Sequence, residues 1–110
     1  MLVANGTKLL VCHRRLYEED HPRYFFGTVS AYADGVARVS GFTWTRDAAR
    51  GFQRKADRRT KLISLASGNL LVYVLPEEVA IEDIRIEQPG GHAVAATDGA
   101  KFRMDLAERL

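Results

Sequence analysis

Along this chain, short apolar or alternating stretches are cut by turn residues, and no stretch sustains a helical period. Residues 7–16 (TKLLVCHRRL) begin apolar and turn basic at His13, Arg14 and Arg15, which predicts a first strand. The polar run Glu18, Glu19, Asp20, His21 ends on Pro22, which has no amide to give a sheet ladder, so the chain turns there. Residues 23–33 and 36–45 flank Asp34-Gly35, a pair that tolerates positive φ and suits a two-residue type I′ hairpin. Such a turn sets Phe25 opposite Trp44, Gly27 opposite Phe42 and Val29 opposite Ser40, so that an aromatic ring covers a strand glycine. Phe25, Val29, Val36, Phe42 and Trp44 then share the core face, with Tyr24, Phe26 and Tyr32 on the other. Aromatic residues on both faces predict burial on both sides.

Residues 61–65 and 70–75 bracket Ala66-Ser67-Gly68-Asn69, a turn joining two further strands. The run 70–75 (LLVYVL) does not alternate, which predicts the most buried, central strand of the sheet. Pro76 ends it, and Pro76-Glu77-Glu78 suits one helical turn. Residues 84–87 (IRIE) alternate like a half-exposed strand. Pro89-Gly90-Gly91 reads as a turn, and Asp98-Gly99 as a second type I′ hairpin, which sets Phe102 opposite Ala95, Met104 opposite Ala93 and His92 opposite Asp105. Asp105 and Glu108 have the spacing of a helix-capping pair, so a short C-terminal helical turn is expected. The predicted fold is all-β: one domain over residues 1–110, a small barrel or strongly curled antiparallel sheet of about seven strands.

Between these elements, residues 46–60 (RDAARGFQRKADRRT) show neither period and read as a basic loop insertion, mobile without a partner and open to trypsin. Composition sharpens this. The formal net charge is only +2, yet residues 46–61 hold seven Lys and Arg against two Asp, while residues 62–110 are acidic by four. Arg46, Arg50, Arg54, Lys55, Arg58, Arg59 and Lys61 are placed to neutralise phosphates, with Phe52 among them to stack on a base, the combination that single-strand binders use.

Other chemistry finds little support. Cys12 is the only cysteine, so neither a disulfide framework nor a CxxC site exists; it reads as a small buried hydrophobe, and a reducing, cytoplasmic setting is expected. His13, His21 and His92 lack metal-ligand spacing, no nucleophile elbow or Walker sequence occurs, and no cofactor is expected. His92 and Asp105 are the only pair resembling an acid-base arrangement, and no catalytic residue is assigned. No run approaches the roughly 20 apolar residues of a membrane helix, and no secretory leader is read. These absences favour a non-enzymatic binding or assembly module, self-associating or with another protein partner. A nucleic-acid-binding barrel using residues 46–61 is the second reading, and a small-ligand binder or enzyme without a recognisable motif the third.

Overall fold

The computed structural model describes residues 3–13, 23–47, 50–66, 68, 70–90 and 93–106. Among them are nine strands: β1 (Lys8–His13), β2 (Arg23–Ala33), β3 (Val36–Asp47), β4 (Gly51–Arg54), β5 (Arg59–Ser64), β6 (Leu70–Val74), β7 (Arg85–Gly90), β8 (Ala93–Thr97) and β9 (Arg103–Asp105). All pairings are antiparallel, as the patterning predicts. The strands form two sheets rather than one of about seven strands. The larger runs β4-β3-β2-β1-β6 with β5 also on β3, the smaller runs β7-β8-β9, and neither closes on itself.

The Asp34-Gly35 turn is the predicted type I′, with φ of 53° and 79°. Next to it the expected register holds, from Ala33↔Val36 to Ala31↔Arg38. At Ser30 a bulge intervenes, its hydroxyl accepting a bond from Arg38 Nε at 2.9 Å. Every pair beyond it slips by one: Phe25 meets Thr43, Phe26 meets Phe42, Tyr24 meets Trp44 and Gly27 meets Gly41. The expected core face is therefore redistributed, because a one-residue slip moves every later side chain of one strand to the other face.

Both faces are nonetheless buried. On one, Leu10, Cys12, Tyr24 and Phe26, with Phe42, Trp44 and Phe52, pack against Ile84, Ile86, Ala96, Phe102 and Leu106 at the second sheet. On the other, Leu9, Val11, Phe25, Val29, Ala37, Val39 and Ile63 lie inside the curl of the larger sheet. Gly27 and Gly41 permit that curl: a Cβ on Gly41 would run into the Phe26 carbonyl oxygen and lie 2.5 Å from Gly27 Cα.

The most buried strand is β1, paired on both sides by β2 and β6, whose Leu9, Leu10 and Val11 are wholly buried, and not the 70–75 run. That run forms β6, at the end of the larger sheet and paired only with β1 among the described residues, its side chains half-buried except for exposed Val74. Its unbroken apolar pattern reflects partial cover on both faces, Leu71 and Tyr73 against one core cluster and Leu70 and Val72 against the other, which a strand can have whatever its hydrogen-bonding edge meets.

After β6, Val79 N–H bonds to the Pro76 carbonyl in a turn, and the helical hydrogen bonding falls later, in a 3-10 turn at Ile81–Asp83. Ile84 and Ile86 are buried and Arg85 exposed, as alternation predicts. Of the predicted Pro89-Gly90-Gly91 turn, Pro89 and Gly90 belong to β7, and residues 91–92 lie outside the described residues. The second hairpin forms, but its loop spans 98–102 and pairs Ala96 with Met104 and Ala95 with Asp105. The cause is the Asp98 side chain, whose Oδ1 accepts the Ala100 and Phe102 amides at 2.9 and 3.0 Å and builds a wider loop than type I′. Those bonds hold its carboxyl below the usual range. Asp105 ends β9 opposite Ala95; the expected C-terminal turn with Glu108, and His92, lie outside the described residues.

Candidate anion-binding site

Residues 46–60 are mostly strand. β4 pairs with the far half of β3, from Asp47↔Gly51 to Trp44↔Arg54, and β5 with its near half, from Gly41↔Arg59 to Val36↔Ser64. The two lie end to end along one edge, joined where Lys55 N–H donates to the Thr43 carbonyl at 2.8 Å and residues 56–58 bulge opposite Phe42. The expectation of an unstructured loop missed this because its polar side chains hide the period, while its backbone has β3 to satisfy its hydrogen bonds.

Strand alternation then sorts the cations by face. Arg23 and Phe25 of β2, Thr43 and Thr45 of β3, and Arg59 and Lys61 of β5 share one face through the pairs Arg23↔Thr45, Phe25↔Thr43, Gly41↔Arg59 and Val39↔Lys61. Together with Lys55, the cations and threonines line a cavity of about 320 Å³ formed by Arg23, Thr43, Thr45, Lys55, Arg59 and Lys61, without a carboxylate among them. Lys61 Nζ stands 4.7 Å from the centre of the Phe25 ring, which is buried. Burial, then the charges of Arg23 and Arg59, lower the Lys61 pKa below its ordinary 10.5. The only ion pair of these cations among the described residues is an exposed one, Arg59 to Asp57 at 3.9 Å. Thr43 is only 7% exposed, and its hydroxyl has no hydrogen-bond partner among the described residues. The buried Thr43 hydroxyl and the four cations thus border one cavity, an arrangement that can donate to an anion's oxygens.

The remaining predicted residues lie elsewhere. Arg54 and Arg58 sit over the Phe42 ring, 4.6 and 5.2 Å from its centre, on the opposite face. Arg54 also donates to the Glu82 carbonyl at 3.1 Å. Phe52, expected to meet a base, is half-buried against the core, its ring 6.0 Å from that of Tyr24. Arg46 and Arg50 are exposed near the β3–β4 turn. Arg23, Thr43 and Thr45 were not anticipated; their signal is the two-residue alternation carried across the correct β2–β3 register. Cys12 is buried as expected, its thiol pushed up to about 12 by loss of solvation. A larger hollow of about 630 Å³, bordered by Val79, Phe102 and Met104, mixes Glu78 and Asp98 with Lys101 and Arg103, so its charges are not of one sign.

No family model, curated protein or solved structure compared with the chain matches it. No helix among the described residues is long and apolar enough to cross a membrane.

Proposed function

We propose that this protein is a non-enzymatic binding module that holds a phosphate-bearing polymer, single-stranded nucleic acid, in the cavity of Arg23, Lys55, Arg59 and Lys61. The observation that carries this reading is the convergence of four cations and two threonine hydroxyls without a carboxylate. Cations held close together repel, and an anion relieves that repulsion while releasing its own counterions. Single strands fit better than duplex, because the site is a recess on a curled sheet, with no helix among the described residues to enter a major groove. With Phe52 packed against the core, recognition rests on phosphate contacts and carries little sequence preference. The proposal places the module in the cytoplasm, where a lone buried thiol stays reduced.

The test is fluorescence anisotropy with a labelled mixed-sequence single strand across a salt series. Four phosphate contacts give a slope of log affinity against log salt of about −3. Alanine at Arg23, Lys55, Arg59 and Lys61 together removes most of that slope, whereas alanine at Arg54 and Arg58 leaves it nearly intact. Absence of binding at low salt, or equal losses from the two sets, overturns the reading.

A further inference from the structure

One edge of β6, which no strand pairs with among the described residues, is independent of the cationic cavity. Leu75 N–H donates to the Lys8 carbonyl, so in the antiparallel ladder of β1 and β6 the backbone groups of Leu71, Tyr73 and Leu75 turn toward β1. Those of Leu70, Val72 and Val74 turn outward, where no strand pairs with them among the described residues. Every other strand that ends a sheet carries a guard: Arg54 in β4, Arg59 and Lys61 in β5, Arg85 and a bulge in β7, Arg103 and Asp105 in β9. β6 (LLVYV) has no charge, no proline and no bulge, and Val74 is 62% exposed.

We infer that β6 pairs with the β6 of a second copy, antiparallel about a two-fold axis through Val72, joining two larger sheets into one. The outward groups choose this occupant. They are placed symmetrically about Val72, so a two-fold sets Val72 against Val72 and Leu70 against Val74, each pair exchanging both N–H···O bonds. Every facing side chain is apolar, so no like charges meet. A net charge of +2 per chain adds little repulsion between copies.

Sedimentation of the whole chain over a wide concentration range should show a monomer–dimer equilibrium. Val74→Lys, at a position already exposed, keeps the fold and raises the dissociation constant about tenfold or more by placing a guard charge on the edge. Val72→Cys gives a register test. Two residues facing each other in a hydrogen-bonded pair have Cα atoms about 5.5 Å apart, within disulfide reach, so mild oxidation links the copies. Tyr73→Cys, whose facing residue in this register is Leu71, should link poorly; buried Cys12 does not compete. A chain that stays monomeric at all concentrations overturns the inference. So does a dimer indifferent to Val74→Lys, or one that Tyr73→Cys links as well as Val72→Cys. A monomer that instead takes an unrelated extended peptide along β6 also overturns it.

Discussion

Arg54 and Arg58 stand beside Lys55 and Arg59 in sequence, yet the two pairs lead different lives. The first lies over Phe42, with Arg54 also bonded to the Glu82 carbonyl, and its charge is used inside the protein. The second joins Arg23 and Lys61 around a recess that holds no carboxylate. What separates them is strand alternation together with the bulge at 56–58, which returns Arg58 to the Phe42 side. A basic tract is thus two devices, one structural and one available to a ligand, and net charge along the chain cannot tell them apart.

The strongest way to break this comparison is to disturb the strand from which both sets hang. Gly41→Ala places a methyl group against the backbone of Phe26 and Gly27, which cannot yield as a flexible side chain would. The expected cost is about 3 kcal/mol or more, read from the denaturant midpoint, and both sets of cations lose their arrangement together. An unmoved midpoint would mean that the two strands do not cross so closely.

A smaller effect sharpens the contrast. Alanine at Arg54 and Arg58 should lower stability by about 1 kcal/mol through the lost ring contacts, while alanine at Lys55 and Arg59 should stay within about 0.5 kcal/mol of wild type. Equal losses in chemical denaturation would erase the distinction between structural and available cations.

The smallest effect is in the pH dependence. Because the Lys61 pKa is lowered on folding, the unfolded chain binds this proton more tightly, and the charged ammonium opposes folding at neutral pH. The stability of wild type relative to Lys61→Met should therefore rise as pH climbs from the folded-state value toward 10.5, with Lys61→Met the more stable protein at neutral pH, while the loss that buried Cys12 imposes above its ordinary 9.0 is common to both. Denaturant midpoints across that range check it; a wild-type curve parallel to that of Lys61→Met would show that the recess does not hold unrelieved positive charge.

What the sequence determined by itself is what depends on near neighbours. The Asp34-Gly35 turn follows from two residues that accept positive φ, the strand over Arg85 to Glu87 from alternation, the burial of Cys12 from an apolar run, and the all-β class from the lack of any helical period. Tertiary structure alone decided what depends on a partner strand. The Ser30 bulge set which aromatics face one another, and the Asp98 carboxylate widened a hairpin that its Asp-Gly dipeptide would have closed tightly. Pairing with β3 turned a polar tract into strands and joined Lys55, Arg59 and Lys61 to Arg23, far away in sequence. The edge of β6 left unpaired among the described residues was equally hidden: hydropathy reports on a strand's faces, while the edge is a matter of backbone hydrogen bonds, which every sequence carries alike.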